Sequence, residues 1–161
     1  MEAGARRYTL ERGDCTALVQ RVVDDFRSEA RAGGYDVVFQ GNGATPVDAD
    51  AEALSRAVWN LLDNAVKYSP DQQSVEVGLS RQNGTVRIMV RDRGMGIPLH
   101  EQRGIFAKFQ RGEQARTHGI KGTGIGLAMV DEIVRAHAGS VEVESAPNHG
   151  STFTIVLPAK D

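Results

Sequence analysis

Three polar side chains in NLLDNAVKYS, residues 60–69, stand at spacings that could do chemistry. Asn60 and Asn64 are one helical turn apart, and Lys67 comes three residues later. Asparagine is a mediocre helix former, because its amide competes for backbone hydrogen bonds. At about 100° per residue, Leu54, Val58, Leu61, Leu62 and Ala65 fall in one arc, while Asn60, Asn64 and Lys67 fall in an arc of roughly 60° opposite. Periodicity by itself reads that second arc as a solvated face, shared with Arg56 and Asp63. The residue types point elsewhere. Two neutral amide oxygens and one ammonium suit a metal-bound polyphosphate: the amides can coordinate Mg²⁺, which keeps phosphate in its shell, and the lysine can neutralise phosphate charge.

Two glycine-rich stretches add to this. DRGMGIP (92–98) follows a strand pattern. It reads either as a surface turn or as a base site, in which Asp92 accepts from an exocyclic amine such as that of adenine. In the second case Gly94 and Gly96 let the backbone approach a flat ligand, and Ile97 is an apolar wall. KGTGIGLA (121–128) opens a helix, where exposed N–H groups can hold phosphate. It is neither a P-loop nor a dinucleotide fingerprint, and protein-kinase signatures are absent. A glycine-rich flexible loop is the plain alternative. Between the two stretches, residues 103–121 carry Arg103, Lys108, Arg111, Arg116 and Lys121 against one acid, Glu113. With Phe106 and Phe109 spaced to pin one side, that segment reads as a hinged, basic lid.

These residues need elements to position them. Helical spacing runs from Cys15 to Ala32, with Asp14 as cap and Gly33-Gly34 as stop. A second helix covers 50–68 and a third roughly 124–137, with one or two short helices within 93–122. Strands are expected near YTLERGD, at 35–40, 45–48, 74–80, 85–92, 140–145 and 151–158, with Asn83-Gly84 as a hairpin turn. The expected class is α+β, one mostly antiparallel sheet with helices on one face.

Bulk properties set limits. The chain has 161 residues, 40% hydrophobic and 25% charged, with a formal net charge of -2. That charge leaves no electrostatic footprint for nucleic acid or an anionic membrane. Cys15 is the only cysteine, so a disulfide framework is excluded. No apolar run approaches a membrane span, and the N-terminus has no signal core; a cytoplasmic setting is expected.

Taken in order, NLLDNAVKYS, DRGMGIP, IFAKFQRG and GTGIGLA, closed by GSTFTIVLP, resemble the N, G1, F and G2 boxes of the catalytic ATP-binding domain of sensor histidine kinases. That family belongs with the gyrase-, Hsp90- and MutL-type ATPases (the GHKL superfamily). The resemblance covers roughly residues 5–158 and implies a single domain, 1–161, with its lid at about 103–122. It implies an α+β, two-layer α/β sandwich (the Bergerat fold), with a mixed, mainly antiparallel sheet of about five strands and three helices on one face. Its cofactors are ATP and Mg²⁺. By resemblance, Asn64 is the magnesium ligand and Asn60 its partner on metal or phosphate. Lys67 and Tyr68 contact phosphate and ribose, and Arg111 reaches the outer phosphates. Asp92 takes the adenine amino hydrogen, with Gly94, Gly96 and Ile97 lining the base. Gly122, Gly124 and Gly126 stand on the phosphate side of the lid, with Lys121, Thr123, Ile125 and Leu127 beside them. Ser151 or Thr152 supplies a hydroxyl near Asp92, Ser151 being the better positional match.

The resemblance also implies an activity. In ATP-hydrolysing relatives a glutamate general base stands where this sequence has Asn60, and an amide cannot take a proton from water. The γ-phosphoryl group is then kept for a histidine on a separate dimerisation domain, with a response regulator downstream. Gln110 departs from the family, which often has an aromatic there. HEQRG (100–104) lies between the G1 and F boxes and lacks the following proline, so His100 is rejected as phosphoacceptor. His118, His137 and His149 are expected at the surface. The phosphoacceptor helix is not in this sequence, and a monomer is expected. A nucleotide-sensing binding module and an anti-sigma-type serine kinase are the competing activities.

Overall fold

A computed structural model of the chain describes residues 7–41, 43–67, 74–94, 96, 97, 100, 104 and 126–161. The elements in chain order are β1 (Glu11–Asp14), α1 (Cys15–Ala32), β2 (Asp36–Gly41), β3 (Pro46–Ala49), α2 (Ala51–Lys67), β4 (Ser74–Gln82), β5 (Thr85–Asp92), α3 (Gly126–Ala136), β6 (Ser140–Ser145) and β7 (Ser151–Pro158). The short helices expected within 93–122 fall largely outside the described residues.

The expected architecture is present. Five strands form one sheet in the order β2-β4-β5-β7-β6, and β1 pairs with β3 in a separate two-stranded ribbon. Only β2-β4 is parallel in the main sheet; its other pairs are antiparallel. Asn83 and Gly84 make the turn between β4 and β5, both at positive φ (49° and 78°). The helices cover one face: α1 lies over β2, α2 over β4 and β5, and α3 over β6 and β7. No helix among the described residues is long and apolar enough to cross a membrane.

Strand alternation builds the core. On β5, Val86, Ile88 and Val90 point to the helices and are buried, while Arg87, Met89 and Arg91 point to the open face. Their inward partners on β7 are Leu157, Ile155 and Phe153. α1 buries Cys15, Val19, Val22, Val23, Phe26 and Ala30 along one stripe, and Asp14 caps it by accepting from Thr16 N–H at 3.2 Å. Burial, with the Asp14 carboxylate beside it, pushes the Cys15 thiol up to about 12. Cys15 is therefore a packed side chain rather than a nucleophile.

Two junctions orient the helices. On one flank of α2, Trp59 meets Phe26 of α1 edge-to-face, ring centroids 4.8 Å apart. At its N-terminus, Asp50 caps α2 by accepting from Ala53 N–H at 3.1 Å and also accepts from Thr9 N–H at 3.0 Å. These hydrogen bonds, Ala53's first, hold the Asp50 carboxyl below the usual carboxylate range. The backbone N–H of Asp50 donates to Nε2 of His137, 3.0 Å away, just beyond the last turn of α3. Nε2 accepts, so Nδ1 carries the proton and donates to Ile133 O at 2.7 Å. His137 is thus buried, against the surface placement expected for it, because α2 presents an unpaired N-terminal amide that only an acceptor can satisfy.

Replacing His137 by Phe leaves Asp50 N–H and Ile133 O without these partners. The expected loss is roughly 2 kcal/mol, read as a fall of several degrees in Tm by calorimetry. An unchanged Tm would show that the junction contributes nothing to stability.

Candidate functional site

Three apolar cross-strand pairs, Val86–Leu157, Ile88–Ile155 and Val90–Phe153, line the inward face of β5 and β7; the fourth pair on that face is Asp92–Ser151. The core therefore ends in a carboxylate beside a hydroxyl, 3% and 5% exposed. A buried carboxylate is costly unless hydrogen-bonded. Asp92 Oδ1 accepts from Gly94 N–H at 2.9 Å. Register partners project on the same side of a sheet, so Asp92 and Ser151 face the helix layer together. Thr152, one residue on, projects to the open face with Glu144 and Thr154. The two hydroxyls named from sequence are thus separated, and Ser151 is the one beside Asp92.

The loop after β5 packs on the β6–β7 turn. Gly94 O accepts from Gly150 N–H at 3.1 Å. Gly96 has φ +72°, and a Cβ there would stand 1.8 Å from Ala146 O. Gly150 has φ +77°, and its Cβ would stand 2.2 Å from Asp92 O. Both positions need glycine for close approach of protein backbone. Ile97 is buried, and its N–H donates to Ser145 Oγ at 2.7 Å. Ser145 was not among the residues singled out from sequence. Its signal was available: it ends the alternating strand SVEVES and pairs in register with Ser151.

The amide pair stands at the same end of the sandwich. The Asp50–His137 bond sets the start of α2 beside the end of α3, so the two helices run antiparallel. At 1.5 Å per residue, Asn60 lies about 15 Å along α2 from Asp50, and Gly126 lies about 16 Å along α3 from His137. Asn60 is therefore level with the start of α3, and Asn64 is about one turn beyond. β6 returns antiparallel to α3 and brings Ser145, hence Ser151 and Asp92, to that end too.

Asn60 and Asn64 are half-buried. Their place opposite the core stripe is corrected by the packing. Leu54, Val58, Leu61 and Leu62 face the sheet and Trp59 faces α1, so Ala53 and Ala57, both buried, mark the flank toward α3. On the helical wheel Asn60 and Asn64 continue that flank. Lys67 is exposed and pairs with Asp63 at 2.8 Å. An exposed i,i+4 pair contributes about 0.3–0.5 kcal/mol, so a more highly charged anion can draw the ammonium away.

Leu127 is buried in the first turn of α3, and Gly126 begins that helix. The positive end of the α3 dipole thus faces the level of the amide pair. Tyr68, Arg111, Lys121, Gly122, Thr123, Gly124 and Ile125 lie outside the described residues, as do Phe106, Phe109, Gln110 and His118.

The residues present fit a magnesium nucleotide. Neutral amide oxygens suit a hard cation whose charge is balanced by phosphate, and the buried carboxylate suits an amine-bearing base. Elements that could hold both ends of such a ligand converge on one end of the fold.

The sequence profile of the histidine kinase-, DNA gyrase B-, and HSP90-like ATPases matches residues 49–161. The chain is 34% identical over 146 residues to the sensor-like histidine kinase SenX3 of Mycobacterium tuberculosis, covering 91% of this chain and 36% of that protein. Against the sensor histidine kinase WalK of Bacillus subtilis it is 35% identical over 117 residues, covering 71% of this chain and 19% of WalK. This chain thus spans well under half the length of these curated relatives. Among solved structures, the mycobacterial sensor histidine kinase MprB superposes with a TM-score of 0.78 at 32% identity, covering 94% of this chain and 98% of that one. Full-length ShkA in complex with AMPPNP superposes at 0.82 with 25% identity, covering 98% of this chain and 32% of that one.

Gly96→Ala forces a Cβ into the Ala146 carbonyl and strains a positive φ. Expected is displacement of the loop after β5, seen as amide shift changes at Gly94, Ile97 and Gly150, with adenine-nucleotide affinity lowered at least tenfold. An unshifted spectrum would mean that this close approach does not hold the loop.

Proposed function

Because this chain belongs to the histidine kinase-, DNA gyrase B- and HSP90-like ATPase family, we propose that it binds Mg²⁺-ATP and presents the γ-phosphoryl group to a histidine of a separate dimerisation domain. The observation that carries this reading is the convergence at one end of the sandwich: Asp92 with Ser151, and Asn60 with Asn64 level with the start of α3. Four relatives, SenX3, WalK, MprB and ShkA, support it. SenX3 is named as a sensor-like histidine kinase, WalK and MprB as sensor histidine kinases, and ShkA carries the ATP analogue AMPPNP.

Each residue then has a task. Asp92 accepts from the adenine amine, and Ile97 walls the base. Asn64, with Asn60, holds Mg²⁺ through neutral oxygens, and Lys67 exchanges Asp63 for phosphate. Arg111 and the glycines at 122, 124 and 126 complete the phosphate side, with Tyr68 on the ribose. Bound Mg²⁺ neutralises charge on the phosphates. Asn60 has no basic lone pair to activate water, so the bound nucleotide is spared from hydrolysis. In the transfer, the bond from the γ-phosphorus to the bridging oxygen breaks, a bond to the incoming imidazole nitrogen forms, and ADP leaves. This chain contributes positioning and electrostatics. A response regulator is the next acceptor.

Radiolabelled ATP with Mg²⁺, mixed with this chain and a purified histidine-bearing dimerisation domain, should put acid-labile, base-stable label on that domain. ATP binding without such label would favour a nucleotide-sensing module, and label on serine an anti-sigma-type kinase. Asp92→Asn removes a charge-assisted hydrogen bond and adds a donor facing the amine. ATP affinity should fall by about 10- to 100-fold in calorimetry. A change within about twofold would remove the adenine assignment.

A further inference from the structure

Around the axis of α2 the polar residues of its last turns stand in a fixed order. Trp59, which meets Phe26 of α1, marks one side, and buried Ala57 marks the flank toward α3. Between them, at steps of roughly 20–40°, come Asp63, Lys67, Asn60 and Asn64. Lys67 is thus bracketed by a carboxylate on the α1 side and the amide pair on the α3 side. Its Nζ rests 2.8 Å from Asp63 Oδ2, the two side chains 42% and 40% exposed. Asp63 is the one acid in residues 57–67. We propose that Asp63 is a specificity-determining residue: it holds Lys67 while the site is empty and biases the site toward metal-bound over metal-free polyphosphate. The proposal rests on the assignment of Asn60, Asn64 and Lys67 to metal and phosphate, and it adds the residue that penalises the ligand without its metal.

The argument is electrostatic. An ammonium is a point charge that takes any phosphate, with or without a metal. A carboxylate at its side changes that. In the empty site the ammonium already has an anion, so a weakly charged ligand gains little by displacing it. A triphosphate draws the ammonium across toward the amides. The carboxylate then faces the ligand uncompensated, and the repulsion grows with the ligand's charge. Mg²⁺ cancels much of the triphosphate charge, so the metal-bound form is repelled least. Exposure and salt keep the effect modest. The same helix carries a matched control. Arg56 and Glu52 form another i,i+4 pair at 3.5 Å, and Glu52 is the acid of the first turn of α2. Glu52 lies about 16 Å along the axis from Asp63.

The test is calorimetric titration of the 161-residue chain with ATP, once with excess Mg²⁺ and once with EDTA. The ratio of the two affinities is the preference for metal. Asp63→Asn is nearly isosteric and removes the charge. It should tighten Mg²⁺-ATP about threefold and metal-free ATP about tenfold, so the preference falls about threefold. Asp63→Glu keeps the charge and should keep the preference. Glu52→Gln removes an equal charge far from the amides and should leave both affinities unchanged. A merely structural pair would lower Tm and weaken both forms alike. The Asp63 proposal is overturned, with the metal and phosphate assignment intact, if wild type binds Mg²⁺-ATP and Asp63→Asn keeps the same ratio. Weaker binding of Mg²⁺-ATP by Asp63→Asn would make the carboxylate a ligand of the metal and overturns the proposal too. So does an equal shift from Glu52→Gln, which would be an effect of net charge. If metal-free ATP is too weak to measure in either chain, an unchanged Mg²⁺-ATP affinity overturns it. A wild-type chain that binds ATP in neither condition overturns both readings.

Discussion

The register between β5 and β7 is the constraint on which the rest depends. Side chains on a strand alternate with period two, so a slip of one residue would turn Asp92 to the open face and bury Arg91 in its place. The three apolar pairs that precede Asp92–Ser151 forbid that slip, because it would carry Val86, Ile88 and Val90 out of the core with it. The carboxylate is therefore aimed by hydrophobic burial that it takes no part in. Each fully buried aliphatic side chain contributes about 1.5–3 kcal/mol. The ladder can thus hold one expensive polar pair at its end. The Gly94 amide and the backbone crowding at Gly96 and Gly150 then set the loop around it.

The opposite pole of the sandwich is as tightly specified. Asp50 caps α2, anchors Thr9 and donates its own N–H to His137, so the entering segment, α2 and α3 share one junction. Tyr8 adds an edge-to-face contact with His137 at 6.0 Å and a hydrogen bond to Glu132 at 3.3 Å. This pole fixes the relative height of two helices whose far ends carry Asn60, Asn64 and Gly126. A displacement of α3 along α2 by one residue would change the spacing of amides and glycines by about 1.5 Å. Stability and site geometry are thus joined through the helices, although no polar atom of the His137 junction approaches the site.

Much of this was legible in the residues. Apolar spacing placed α1, α2 and the long strands to within one or two positions, since each has a single strong periodicity. Asp14 and Asn83-Gly84 announced their cap and turn through local chemistry alone. Failures arose where a third partner decided the outcome. A helical wheel distinguishes core from solvent, but α2 packs against α1, the sheet and α3, so Asn60 and Asn64, both half-buried, continue the flank marked by Ala53 and Ala57 instead of lying on a fully solvated face. His137 reads as a surface histidine until the unpaired amide at the start of α2 is brought to it across 87 residues of chain. Gly96 reads as room for a ligand, while its nearest neighbour is the Ala146 carbonyl. Thr152 could have been set aside by strand alternation alone once Ser151 was taken as inward. Ser145 needed the β6–β7 register, which its strand pattern indicates but does not number.

In the proposed reading, base, metal and phosphate share one end of the sandwich, opposite the His137 junction. Substituting Mn²⁺ for Mg²⁺ in the nucleotide complex and recording paramagnetic broadening of amide signals by NMR tests this directly. The side-chain amides of Asn60 and Asn64 should broaden first. Gly94, Ile97 and Ser151 should shift on nucleotide binding but broaden less, and Asp50, Ala53 and His137 should be unaffected. Strongest broadening around Asp50 and His137, or none at Asn60 and Asn64 with nucleotide bound, would contradict the account.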